Sequence, residues 1–484
     1  MQRGKLLFAV GVLFLLCRMS VSAQNAAPDS SNRIVYTLQQ CVDSAVRNSP
    51  TVKTAEFLKE TALTNRDQQI STMLPYINSY ANYLNNGGKS INNYTNSYVT
   101  ENYNSGYANV QATLTLFNGL SIHNFIKQYS LLYEANKKDW QQAKDLATVN
   151  VILAYLNILS AEEQLGMAKR QADATREKVR LLEAQNNEGA ISPSDLTDMK
   201  GQLASDEMTV VTTENTIETN KLQLAQYMNV PYSPHMEVAP LAEDLTPVAY
   251  NATVDQIYTN ATQNLAQVKA AQLHQASAEK GVKAAWGNMT PTLSFYGLVQ
   301  TNYSTAASTT SNTTSYYSQD GSYVTYNGSQ LPVNFQQYNT ANHPISFSNQ
   351  VSNNLYTQFG LTLSVPILQN LHYRTLYRQA RINLEQAKYN TNTTFVQLRQ
   401  AVESYYVTMM NDFRIYSTLN DQVTNYAESF RSAEIKYNAG AMKSVDFIIY
   451  KTNIDRARLN QIQAKYNYIL QTKVLDYYQG KLTW

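Results

Sequence analysis

The residues of this chain that could do chemistry are few, and their spacing does not assemble a catalytic set. The five histidines (His123, His235, His274, His343 and His372) are scattered along 484 residues. None stands in a His-Glu-x-x-His pattern, where two imidazoles one helical turn apart share a zinc ion. No glycine-rich phosphate loop occurs, and the adjacent acids Glu162 and Glu163 point different ways on a helix, as solvated acids do. Of two cysteines, Cys17 lies in an apolar N-terminal run, which leaves Cys41 alone; one thiol makes neither a zinc site nor an intrachain disulfide. No enzyme activity, metal or cofactor is expected. Polar residues do gather at two glycine turns, Glu188-Gly189-Ala190-Ile191-Ser192-Pro193-Ser194-Asp195 and Ala439-Gly440-Ala441-Met442-Lys443-Ser444-Val445-Asp446. Gly189 and Gly440 suit the left-handed position that ends a helix. Asp195 and Asp446 sit in the first turn of a returning helix, where negative charge meets the positive end of the helix dipole.

The two turns match because the chain is written twice. Val52-Lys53, Ala55, Pro75 and Tyr80 recur as Val268-Lys269, Ala271, Pro291 and Tyr296, shifted by 216 residues. Further on the shift is 251: Phe117-Asn118-Gly119-Leu120 aligns with Leu368-Gln369-Asn370-Leu371, and Val151 and Tyr155 with Val402 and Tyr406. One 35-residue insertion in the second copy accounts for the change. A period above 200 residues is far longer than a solenoid repeat and marks tandem duplication of one large architecture.

Each copy reads as short helix, helix, strand, loop, strand, very long helix, turn, helix. In the first, strands are expected at about 76–84 and 106–117, a long helix at about 120–187 and a return helix at about 193–228. In the second they are expected at about 292–303, 354–367, 371–438 and 444–478, with a linker over 230–250 between the copies. Ala108, Val110, Ala112, Leu114 and Leu116 alternate with Asn109, Gln111, Thr113 and Thr115, which is strand spacing. Charge nearly vanishes here: Lys89 and Glu101 are alone between Pro75 and Phe117. Alternating segments of this length with so little charge suit a membrane β-barrel. The Asn/Ser/Thr/Tyr-rich stretch from about 304 to 353, which holds the insertion, reads as a loop. Neither long helix contains proline, and at about 1.5 Å per residue each extends on the order of 100 Å. Trp140 and Trp286, within helices, are expected to be buried.

Four strands cannot close a barrel, and lipid tolerates no open sheet edge, so several copies must share one barrel. Helices of that length cannot lie within the bilayer and must project from it. The physical reading is a mostly α protein with a membrane β-barrel that continues into a helical tube. The N-terminus agrees. Arg3 and Lys5 precede an apolar run over 6–16, and Val21-Ser22-Ala23 supplies a small-residue cleavage site, so 1–23 reads as a signal peptide. Net charge is +2, and nothing in it calls for nucleic acid. The rival reading is an exported coiled-coil structural or adhesive surface fibre.

The duplicated plan resembles the TolC family of outer-membrane efflux proteins over essentially the whole mature chain. The opening Thr37-Leu38-Gln39-Gln40-Cys41-Val42-Asp43-Ser44-Ala45-Val46-Arg47-Asn48-Ser49-Pro50 and the reversal Tyr437-Asn438-Ala439-Gly440-Ala441-Met442-Lys443-Ser444-Val445-Asp446-Phe447 carry the resemblance. It implies a homotrimer with a shared 12-stranded β-barrel in the outer membrane and a periplasmic α-barrel. It further implies a passive exit duct for tripartite efflux or type I secretion. The partners it implies are a periplasmic adaptor (membrane fusion) protein, an inner-membrane transporter of RND, ABC or MFS type, and outer-membrane lipid. The adaptor would meet the reversal tips at Gly189, Ser194, Gly440 and Val445. The family's gating tyrosine falls on Tyr437, its carboxylate partner on Asp195 and one acidic-ring position on Asp446. A tyrosine hydroxyl on a carboxylate is a charge-assisted bond of about 1.5–3 kcal/mol. The family's gate arginine falls on Met442 and its second ring acid on Ile449, with Lys443 as the neighbouring cation. An entrance closed partly by apolar packing is therefore expected.

Overall fold

The computed structural model describes residues 34–92, 96–100, 102–241 and 245–481; the expected signal peptide lies outside them. The first copy contains β1 (Ile34–Tyr36), α1 (Leu38–Asn48), α2 (Pro50–Ser71), β2 (Tyr76–Asn86), β3 (Ser90–Asn92), β4 (Ser97–Val99) and β5 (Tyr103–Phe117). It ends with α3 (Ser121–Asn187), α4 (Pro193–Met228) and β6 (Met236–Val238). The second copy contains α5 (Val254–Asn264), α6 (Ala266–Gly287), β7 (Thr292–Ser304), β8 (Ser308–Ser318), β9 (Tyr323–Tyr326), β10 (Ser329–Pro332) and β11 (Phe335–Pro344). It closes with α7 (Phe347–Asn353), β12 (Tyr356–Ser364), α8 (His372–Asn438) and α9 (Ser444–Tyr478).

Duplication is visible in the local chemistry. Thr37 opens α1 with a capping box: its hydroxyl accepts from the Gln40 amide at 3.3 Å, and the Gln40 side chain accepts from the Thr37 amide at 2.9 Å. Thr253 and Gln256 repeat this at α5, at 3.4 and 3.0 Å. Leu120 and Leu371 both take left-handed backbone angles at the starts of α3 and α8. Each long helix has 67 residues and runs without proline or an internal break, about 100 Å.

The four-stranded sheet has the order β12-β7-β5-β2, all neighbours antiparallel. The register puts Ile77, Val110, Val299, Phe359, Leu361 and Leu363 on one face. That face is bare in the single chain, Phe359 being 79% exposed. The opposite face carries Asn82, Tyr107, Gln111, Gln300 and Asn302. Tyr107 donates to the Gln300 amide oxygen at 2.9 Å and accepts from Asn109 at 3.1 Å. One apolar and one uncharged polar face is the pattern of a barrel wall between lipid and a watery bore. Among the described residues, β2 and β12, at the sheet edges, have no strand partner on their outer side.

Where a loop is expected over 304–353, the structure has strands. β8 pairs with β11 over ten positions, β9 pairs with β10, and α7 follows. Thr and Tyr favour a pleated backbone without any apolar alternation to announce it. The Gln350 amide, 1% exposed, donates to Ser304 O at 3.0 Å and Ile345 O at 2.8 Å, which fixes α7 against β7.

Helix α3 packs against α2 and α6 near the sheet and against α4 beyond the middle of its length; α8 packs against α6 and then α9. The main core lies where the short elements meet these helices, around Tyr155, Ile152, Leu156, Val402, Met409 and Leu475. The Tyr155 hydroxyl, buried there, donates to Ala239 O at 2.5 Å, so the return of β6 alongside β1 is tied to the helix interior. Two expectations need correcting. Trp286 is 55% exposed in the single chain, because its position on α6 faces away from α3 and α8. Glu163 is no free surface acid: Lys465 on α9 reaches it at 3.0 Å. The ammonium groups of Lys144 and Lys59 stand 3.8 and 4.2 Å from the Trp140 ring centre. No helix among the described residues is long and apolar enough to cross a membrane.

Candidate functional site

The two helix reversals lie side by side at the end farthest from the sheet. Both are Schellman turns: Ala190 N donates to Gln185 O at 2.8 Å and Ala441 N to Lys436 O at 2.9 Å. Gly189 and Gly440 adopt φ of 69° and 74°, which a side chain resists, and nothing stands near either. Ser194 and Val445, in the first turns beyond, are exposed with them at the tip. Ser192 caps α4 by accepting from Ser194 N at 3.2 Å.

Just inside the tips is a small apolar cluster of Val179, Leu182, Met199, Ala433 and Phe447, against which Ile191, Tyr437 and Met442 pack. The Tyr437 ring stacks on Phe447 with centroids 4.5 Å apart and planes 13° apart. Lys178 from α3 donates to Asn438 at 2.6 Å, and its ammonium lies 5.5 and 5.4 Å from the Tyr437 and Phe447 rings. A cavity of about 1020 Å³ opens between the two reversals, bordered by Gln185, Asp195, Tyr437 and Met442.

Within one chain Asp195 is not held by Tyr437. Ser444, 1% exposed at the start of α9, places its hydroxyl 2.6 Å from the Asp195 carboxylate and 3.1 Å from that of Asp198. Among the described residues the Tyr437 hydroxyl makes no hydrogen bond, because its ring is turned onto Phe447. Burial, then the charges of Asp195 and Asp198, push that hydroxyl above its ordinary pKa, so it stays a proton donor. Asp446, Ile449 and Lys443 are exposed at this end of the single chain. Met442 adds methylenes to the cluster rather than charge.

Sequence reasoning missed Ser444, Asp198 and Lys178. It also missed a buried ionic group above them, formed by Lys451, Asp206 and Asp455. The signal was present. Ser444, Phe447, Lys451, Ile454 and Ala457 follow one buried stripe of α9, and a lysine in an apolar stripe demands a partner.

An open sheet with a lipid-type face, feeding paired helices of this length that reverse at matched glycines, defines a membrane-anchored duct. The Outer membrane efflux protein family matches residues 41–230 and 257–480, one segment per copy, and the chain belongs to that family. It is an outer-membrane channel of tripartite efflux systems, and the reading of a surface fibre falls with that. The chain is similar to Outer membrane protein TolC of Salmonella enteritidis, 22% identical over 478 residues, which cover 97% of this chain and 86% of that one. It is likewise similar to Outer membrane protein TolC of Escherichia coli (strain K12), at 21% over 459 residues, with 95% and 84% covered. Among solved structures, the outer membrane protein VceC of Vibrio cholerae shares the fold with a TM-score of 0.72 at 12% identity, covering 92% of this chain and 96% of that one. The CmeC outer membrane channel of Campylobacter jejuni shares it with a TM-score of 0.68 at 17% identity, covering 92% and 85%.

Proposed function

We propose that three copies of this chain, exported by a cleaved signal peptide, form one conduit with a twelve-stranded barrel in the outer membrane. The observation that carries the reading is the pair of unpartnered edges, β2 and β12, on a sheet with a bare apolar face. In lipid those edges must pair, and pairing β12 of one copy with β2 of the next closes the ring. The helices then form a tube whose tips, at Gly189, Ser194, Gly440 and Val445, meet a periplasmic adaptor fed by an inner-membrane transporter of RND, ABC or MFS type. The duct is passive and does no chemistry on its cargo.

The entrance closes at the reversals. Asp195, Ser444, Tyr437 and the Met442 side of the apolar cluster hold α8 and α9 onto α3 and α4, and Asp446 with Lys443 sets the charge at the mouth. A few bonds of about 1.5–3 kcal/mol, repeated by symmetry, hold a tube shut yet yield to a docking partner. Single-channel conductance of the purified protein in planar bilayers tests this. Tyr437→Phe combined with Asp195→Ala raises conductance severalfold, and Ser444→Ala alone raises it less. Unchanged conductance in both rules out the reversals as the gate.

A further inference from the structure

Above the tips, the pair α3/α4 meets α9 at a buried charged group. The Lys451 ammonium, its side chain 7% exposed, lies 2.8 Å from Asp206 on α4 and 2.6 Å from Asp455 one turn along its own helix. Asp206 is fully engaged: Thr175 on α3 donates to it at 2.5 Å and Gln202 at 2.8 Å. Gln171 on α3 reaches the Asp455 backbone oxygen at 3.5 Å. Three helices thus converge on one lysine, inside the packing rather than at its rim.

Such an arrangement adds little net stability over an apolar core, yet breaking it by removing one partner is costly. It fixes a relative position, and here the position is that of α9 against α3 and α4. We propose that Lys451 is a positioning residue for the entrance, holding α9 on the α3/α4 pair through Asp206 and Asp455 so that the tip opens only when this link parts. The inference rests on the gate reading above. The link joins the two helix pairs within one chain, on α9 beyond the apolar cluster that Phe447 joins. A partner that pulls the tips apart must therefore separate it as well.

The groups that face the network are Gln171 and Thr175 from α3, Gln202 and Asp206 from α4, and Asp455 and Arg458 on α9; Glu207 of α4 is turned to Arg176. Burial, with the charge of Asp206 adding, holds the Asp455 carboxyl above its ordinary pKa against the pull of Lys451 and Arg458. Without Lys451, two close carboxylates face each other. As pH falls, Asp455, which burial already holds above its ordinary pKa, takes up a proton and α9 stays seated; as pH rises it ionises and the repulsion pushes α9 away.

The test is conductance of the full-length trimer at pH 5 and pH 8, each variant taken relative to wild type at the same pH. Lys451→Met raises conductance severalfold at pH 8 and much less at pH 5. Asp206→Asn, which keeps the side-chain shape and so guards against misassembly, gives a smaller rise at both. Wild-type conductance in Asp206→Asn, with Lys451→Met silent or unassembled, overturns the inference. So does a Lys451→Met rise of equal size at the two pH values, which marks general loosening. Tyr437→Phe with Asp195→Ala runs beside them. If that variant opens the channel while these do not, the Lys451 inference alone fails; if none opens it, the gate reading fails with it.

Discussion

Cys41 is completely buried in the core where α1 meets the long helices, and desolvation pushes its thiol up to about 12. Only the thiolate is a nucleophile, so the group is inert at physiological pH. Alkylation at pH 8 should leave Cys41 unmodified in folded protein and modify it fully in denaturant, read by mass spectrometry; rapid labelling of native protein contradicts the packing described. The raised value also has a sign in stability. The neutral thiol's contribution is complete below its ordinary value of 9.0 and is lost as pH rises through about 12. At the entrance, residues were legible in the sequence only in part. The matched glycines, Asp195 and Tyr437 follow from the duplication and from the resemblance. Ser444 aligns with Pro193 in the other copy, so symmetry gave no warning that its hydroxyl would take Asp195.

At the scale of elements, the junction between sheet and tube is the least forgiving place in the fold. Gly119 has φ of 62°, and a Cβ there would stand 1.8 Å from the Thr290 hydroxyl and 2.8 Å from Gly287 O. Gly119→Ala should therefore destabilise the folded chain by about 3 kcal/mol, left-handed strain and overpacking together, measured by thermal melting. A variant as stable as wild type would show that this turn rearranges freely. The long helices were legible because proline is absent and glycine nearly so. The return helices followed from the turns that precede them. The β8/β11 and β9/β10 hairpins were not, since their strands are mostly polar and exposed and carry no regular alternation. Tertiary choices, such as Lys451 finding Asp206 across 245 residues, lie beyond any local pattern.

For the whole molecule, the apolar face of the sheet decides where it resides. Among the described residues nothing covers Phe359 and Leu361, and on an uncharged barrel wall lipid or detergent satisfies such a surface. Phe359→Arg should cost about 2–4 kcal/mol of membrane stability if the position is near the bilayer midplane, and should lower the amount of protein recovered in outer-membrane fractions. Undiminished recovery would mean that this face does not meet lipid. The central claim, that one chain supplies a third of a barrel and a third of a tube, is tested most directly by electron microscopy of the mature protein extracted in detergent. The account predicts a threefold-symmetric tube well over about 100 Å long, as helices of this length require, with a detergent belt around twelve strands at one end. A monomer, or a thin helical rod with no belt, would contradict it.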